Sequence, residues 1–492
     1  MRFKVLLLIA LLQTVFGTEI RIGMIVTEEV ESKAIGHAVT GGAIGIALDR
    51  IRDEHLLDAY NFSFTIRNTD CGAGAAVGPM IEFVQIIDAH ATIGPPCGGG
   101  FAGTMSTAYE MPVFTWGYTF RYDLTDDTRY PFLSTITASS LSLGYAVIAL
   151  AELYKWDRIA FVYSRNPVSY CETIADDVET AVNDPNTFQT QMVYRAVLDE
   201  SNNATYYSRL ESIKDRARVP SGLPPFWADT LGKNEDGLTA AAKLGARRAI
   251  VLDISSRDDA AMETFSDAVL KRVTGPPLYC NTTECLNAAS SNTDLQAGVF
   301  ARSLHDAFYL YVRALNKSLA VDSNALENPD LIKKNLAGTF MGMTGEVVIT
   351  VNGTRDPFFF VYALDSNYIP KSWINISVDT GSMSEDIGCI DCVALSTIYT
   401  DDASTIWSTR SKGRPLSTPL CGYLGTSCPK DFWEQNGIYI GIGIAFAVVI
   451  VIVTFFLAIY YLRERQKEID RLNSLWQVPY RQLDKPATKV LG

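Results

Sequence analysis

Residues 438–462 carry no charged side chain over twenty-five positions. A hydrocarbon core takes about 20 apolar residues in a helix, so this stretch is long enough to cross a bilayer with some tilt. Tyr439, Tyr460 and Tyr461 stand near its ends, where interfacial aromatics belong. Arg463, Arg465 and Lys467 follow at once, which predicts a cytoplasmic C-terminal side. At the other end, Arg2 and Lys4 precede an apolar run over 5–16, with Val15 and Gly17 suited to the −3 and −1 positions of a cleavage site. That is the pattern of a secretory signal peptide. Both ends predict one topology: a single-pass type I protein of the plasma membrane with its N-terminus outside. Residues 1–17 are the signal, 18–437 the extracellular domain, 438–462 the span and 463–492 a short tail. A folded catalytic domain needs on the order of 100 residues, so the tail is expected to catalyse nothing.

All nine cysteines lie between signal and span, where close spacings read as disulfides. Cys421 and Cys428 bracket one short loop, and Cys280 and Cys285 another. Cys389 and Cys392 have the spacing of redox and zinc sites, but their setting reads as loop, which favours a structural disulfide. Nine is odd, which leaves one thiol over; Cys171 has no near neighbour. Six sequons, at Asn61, Asn203, Asn281, Asn316, Asn352 and Asn375, all fall in the same region. The net charge is −13, and with +2 in the signal and +3 in the tail, residues 18–462 carry −18. That argues against nucleic acid as a partner, which wants a basic surface. It fits either cationic ligands or an acidic solubilising surface.

About 420 extracellular residues exceed one core, so two lobes are expected. Apolar strands at 20–26, 62–66, 91–94 and 111–116 alternate with helices at 37–51, 80–87 and 141–154. A second series starts at 158–164 and continues at 249–254. Such alternation predicts parallel sheets with helices on both faces, in two α/β lobes. Ligands bind beyond the C-terminal strand ends of such sheets, here in an interlobe cleft that closes by hinging. Residues 346–364 read as a hairpin turning at Asn352-Gly353 into 358–362.

Four stretches resemble the receptor guanylate cyclases and natriuretic-peptide-type receptors. They are Cys71 with Ile93-Gly-Pro-Pro-Cys97; Phe340-Met-Gly-Met-Thr-Gly345 with Asn352-Gly-Thr-Arg-Asp-Pro357; Cys421-Gly-Tyr-Leu-Gly-Thr-Ser-Cys428; and Arg471-Leu-Asn-Ser-Leu-Trp-Gln-Val-Pro-Tyr480. The resemblance implies a type I periplasmic-binding-protein-like fold, disulfides Cys71–Cys97 and Cys421–Cys428, and a receptor that binds a peptide or small molecule in the cleft or at a dimer interface. It also implies pairing, as a homodimer or with related full-length receptors. The kinase-homology and cyclase domains of that family are not in these residues, which predicts a receptor without catalytic output. The alternative is a truncated form of a receptor cyclase that makes cyclic GMP. Residues 219–245, rich in Pro, Gly and charge, interrupt the pattern as a surface loop or retained unspliced sequence.

Candidate site residues follow from these placements. Trp116, Gly117 and Tyr118 leave the fourth strand, and Tyr163, Ser164 and Arg165 end the first strand of the second lobe; all are expected to face the cleft or pack within the lobes. Pro96, Cys97 and Gly98 open a helix at 101–109, where backbone N–H groups can hold an anion or form a pinned turn. The histidines 37, 55, 90 and 305 have no metal spacing, and no nucleophile, P-loop or paired-carboxylate motif stands out, so no metal, cofactor or enzyme is expected. In the tail, Leu462, Ile469 and Trp476 recur every seven residues with Leu472 at a d-type position, either a short dimer seam or one face of a solvated helix.

Overall fold

The computed structural model describes residues 18–477 except 73, 165–169, 185–189, 199–248, 255–258, 291–294, 366, 368, 385–387, 390, 411–413 and 417–430. The signal segment, the 219–245 insertion, Arg165, Asn203, Cys421, Cys428 and the end of the tail lie outside the described residues. Two units divide after Thr418.

The first unit opens with a parallel sheet. Strands β1 (Thr18–Val26), β2 (Tyr60–Asn68), β3 (Ala91–Ile93), β4 (Val113–Thr115) and β5 (Leu133–Thr135) lie in the order β2-β1-β3-β4-β5. From Ile20 to Val26 strand β1 is apolar except at Arg21, because both its faces are covered there. Ile20, Ile22 and Met24 enter one core with Ile44, Ala47, Leu48 and Ile51 of α1 (Gly42–Asp53). Ile25 turns to the other face, where Phe83, Val113, Leu133 and Ala102 of α2 (Gly99–Tyr109) pack. The stretch 37–51 is not one helix. It divides into His37–Thr40 and α1 around Gly41 and Gly42.

The chain then crosses to a second lobe. Helices α3 (Ser140–Leu153) and α4 (Tyr170–Val182) pack on each other, and α4 lies against the parallel pair β6 (Arg158–Ser164) and β7 (Gln191–Leu198). Strand β8 (Ile250–Asp253) completes the second-lobe strands of this passage. Helices α5 (Asp259–Arg272) and α6 (Ala301–Leu319) return to the first lobe, where Val269 and Leu304, Phe308 and Tyr311 join the β1 core. A tight meander follows: β9 (Gly338–Gly342), β10 (Gly345–Ile349) and β11 (Arg355–Asp356). The third crossing leads to β12 (Phe358–Leu364), β13 (Pro370–Val378), the small pair β14 (Met383–Ser384) and β15 (Gly388–Cys389), and β16 (Val393–Thr397).

Two expectations change here. The turn at Asn352-Gly353 joins β10 to β11, but 358–362 does not complete that hairpin. Pro357, which has no N–H to give a ladder, marks where the chain leaves one sheet for another. The run 249–254 does not continue a parallel series: β8 pairs antiparallel with β12, in the order β16-β13-β12-β8. An apolar run announces a strand but not its direction.

In the second unit, α7 (Phe432–Trp476) is one uninterrupted helix of 45 residues, capped by the Asp431 carboxylate. At 1.5 Å per residue it is about twice as long as a bilayer core is thick. It is the one helix among the described residues long and apolar enough to cross a membrane.

Candidate functional site: the cleft between the lobes

Strand β4 delivers Trp116, Gly117 and Tyr118 to the interlobe side of the first lobe. Gly117 has φ +77, and a Cβ there would lie 2.5 Å from the Pro96 carbonyl oxygen. Glycine therefore lets the strand exit run against the 94–98 loop, and the Tyr118 N–H donates to Pro96 O at 2.7 Å. Trp116 points inward and is only 1% exposed, so it packs the first-lobe core and presents no surface to the cleft. Tyr118 turns outward. Its ring stacks on Tyr170, the first residue of α4, at 4.3 Å between centroids and 9° between planes. Phe300 meets Tyr118 edge-on at 4.8 Å, and Phe120 lies 5.9 Å away. A first-lobe ring thus rests on a second-lobe ring, with two further aromatics around them. Burial, followed by the proximity of Tyr170 and Glu31, raises the Tyr118 phenol well above its ordinary range. Burial pushes Tyr170 up to about 12. Both phenols stay neutral hydrogen-bonding groups at physiological pH.

The other expected residues take different places. Tyr163 is half-buried on β6 under the Arg195 guanidinium, 5.4 Å from its ring centre. Arg195 in turn pairs with Asp176 and Glu179 of α4, each at 2.5 Å. Ser164 is half-buried at the end of β6. Pro96 and Cys97 are buried and Gly98, at φ +65, is exposed. Cys97 is bonded to Cys71, as the family resemblance implied. Cys280–Cys285 and Cys389–Cys392 are also disulfides, and Cys171 is a free, half-buried thiol beside Tyr170. No motif marks Tyr170, Phe120 or Phe300. Position was the available signal, since Phe120 follows β4 closely and Tyr170 opens the helix after β6.

Behind the cleft the crossings are tied together. Arg355, 3% exposed, donates to the Ile136 carbonyl at 3.2 Å, joining the third crossing to the first. The Thr354 and Thr380 hydroxyls meet at 3.4 Å, and Asp356 accepts from the Thr380 N–H at 2.7 Å. Beside them is a pocket of about 270 Å³, lined by Tyr122, Thr125, Asp126, Thr128, Ser139, Asn352, Thr354 and Thr380.

Two α/β lobes joined by three crossings, with an aromatic contact between them beyond strand β4, define a bilobal domain of the periplasmic-binding-protein type. The chain belongs to the family whose model is described as the receptor family ligand binding region, which matches residues 39–367. It is 29% identical to receptor-type guanylate cyclase gcy-1 of Caenorhabditis elegans, over 96% of this chain and 45% of that protein. It is 33% identical to receptor-type guanylate cyclase gcy-19 of Caenorhabditis briggsae, over 95% and 44% respectively. The chain therefore spans under half the length of these curated relatives. Among solved structures, the branched-chain amino acid transporter substrate-binding protein LivJ of Streptococcus pneumoniae, in complex with isoleucine, aligns with a TM-score of 0.47 and 16% identity, over 72% of this chain and 98% of that one.

Proposed function

We propose that this chain is a single-pass cell-surface receptor that binds an extracellular ligand between its lobes and acts by binding, not by chemistry. The carrying observation is the Tyr118–Tyr170 stack, which joins the lobes where strands β4 and β6 end. A ligand entering there meets rings, two neutral phenols and the Glu31 carboxylate, and changes how the lobes close. The span at 438–462, with Arg463, Arg465 and Lys467 beyond it, supports the outward orientation of the first unit. The test is a ligand screen on the full chain in nanodiscs, read by thermal shift and repeated with Tyr118→Ala and Tyr170→Ala. A ligand whose affinity both substitutions leave unchanged does not sit in this cleft. Glycosidase should lower the mass of the expressed chain, and a C-terminal tag should resist external protease; an exposed tag would sink the topology.

A second reading is favoured by the relatives' names and length: the residues here are the ligand-binding and membrane part of a receptor guanylate cyclase. Cyclic GMP assay of the expressed chain separates the two readings. Pairing belongs to either one. Leu462, Ile469 and Trp476 are exposed along one continuous helix, which supports a contact with a second copy or a related receptor. Co-immunoprecipitation with a full-length relative, together with its cyclic GMP output, tests that pairing; absence of both association and effect leaves ligand sequestration alone.

A further inference from the structure

We propose that Asn352 carries an N-linked glycan whose first sugar seats in the pocket behind the cleft and braces the two lobes. The proposal rests on the reading that the first unit folds in the secretory lumen.

The pocket has walls from both lobes. Tyr122, Thr125 and Asp126 come from the first-lobe segment between β4 and β5, Ser139 caps α3 of the second lobe, and Thr380 follows β13. Its lining is hydroxyls, one amide and one carboxylate, with no cation and no aliphatic side chain. Such a wall, hydroxyl-rich with one aromatic ring at Tyr122, suits a neutral sugar, which has both hydroxyls and an apolar ring face, better than an anion. Its volume of about 270 Å³ falls below the roughly 300–1,000 Å³ of drug-sized sites, leaving room for a single sugar ring.

One of the lining residues is itself a sugar acceptor. Asn352-Gly353-Thr354 is a sequon on the β10–β11 turn. Asn352 is half-buried, and its side-chain amide has no hydrogen-bond partner among the described residues. Transfer of the glycan precedes folding, so the burial of Thr354 in the finished domain is no obstacle. The other described sequons differ. Asn61 and Asn281 stand exposed. Asn316 shares its sequon with Ser318, which is wholly buried within α6, and the Oδ1 of Asn375 is buried in its sheet. Asn352 alone among these five lines a pocket that spans the lobes.

The experiment uses the full chain expressed in secretory cells. Glycopeptide mass spectrometry is run before and after peptide-N-glycosidase, on native and on denatured protein. The expected result is occupancy at Asn352, with release from Asn61 and Asn281 in the native state and from Asn352 only after denaturation. Asn352→Gln should lower the melting temperature, whereas Thr354→Ser, which keeps the sequon, should not remove the glycan. Occupied Asn61 and Asn281 with a bare Asn352 overturn the proposal and leave the topology standing, as does native release at equal rates. Bare asparagines at all three positions overturn proposal and topology together.

Discussion

Asp306 of α6 and Thr344 of the β9–β10 turn are joined twice: the Thr344 N–H and hydroxyl both donate to Asp306 Oδ2, at 2.9 and 2.7 Å. The other oxygen accepts from the Met343 N–H at 2.7 Å and from His305 Nδ1 at 2.8 Å. Both His305 and Asp306 are fully buried. A Cβ on Gly342 would lie 2.4 Å from Oδ2, so glycine is required where the turn closes over the carboxylate. The Phe340–Gly345 signature is therefore the shape of a turn built around one buried acid.

Removing that acceptor should be costly. Asp306→Asn turns an NH₂ toward N–H donors and is expected to destabilise the first unit by on the order of 3 kcal/mol. Thr344→Val loses one neutral partner and should cost about 1 kcal/mol. Burial raises the Asp306 carboxyl, but the bonds from His305, Thr344 and Met343 outweigh it and hold the group below its ordinary range. Its contribution is thus present above the ordinary carboxylate pKa and lost as pH falls through the folded value. Chemical denaturation of the two variants checks the ranking; equal midpoints would remove Asp306 from its central place.

His37 gives a separate acid dependence. Burial lowers its imidazole to about 4, and its Nδ1 has no partner. The unfolded ring titrates near 6.5, so the unfolded state takes up the proton first. Stability is then full above about pH 6.5 and declines toward pH 4, by roughly 3 kcal/mol in all. Urea midpoints of wild type and His37→Gln across that window should diverge in slope. Parallel profiles would show that another group titrates.

Gly42 sets the approach of α1 to α5. A Cβ there would lie 1.9 Å from the Val269 carbonyl oxygen, which is backbone and cannot swing away. Gly42→Ala should force the helices apart and cost about 2 kcal/mol or more despite alanine's better helix propensity. Gly78→Ala, where nothing stands within 4 Å, is the neutral control. Thermal unfolding of both variants decides the matter; similar shifts would mean the contact relaxes freely.

The Tyr118–Tyr170 stack predicts coupling between lobes. Tyr118→Ala and Tyr170→Ala should be non-additive by about 1 kcal/mol in a double-mutant cycle on stability. Tyr118→Phe should retain most of it, because the rings make the contact. An additive double mutant would mean the stack contributes nothing to closure.

Local pattern in the chain was enough for the α/β class, the two lobes and the apolar span, whereas the Cys71–Cys97 bridge was implied by the family resemblance. The first three rest on neighbours in sequence: strand and helix periods and a run of uncharged residues. The α1 face of Ile44, Ala47, Leu48 and Ile51 is buried as its spacing implied. Tertiary structure decided what depends on distant partners. Trp116 and Tyr118 are two residues apart, yet one fills a core and the other crosses the cleft, because Gly117 turns the chain between them. The direction of β8 waited for β12, which is more than a hundred residues later in the chain. Asp306 carries no mark in the sequence, since a lone acid in an amphipathic helix reads as solvated until the turn it holds folds over it. Side-chain period records which face is apolar; only the packed fold records what that face meets.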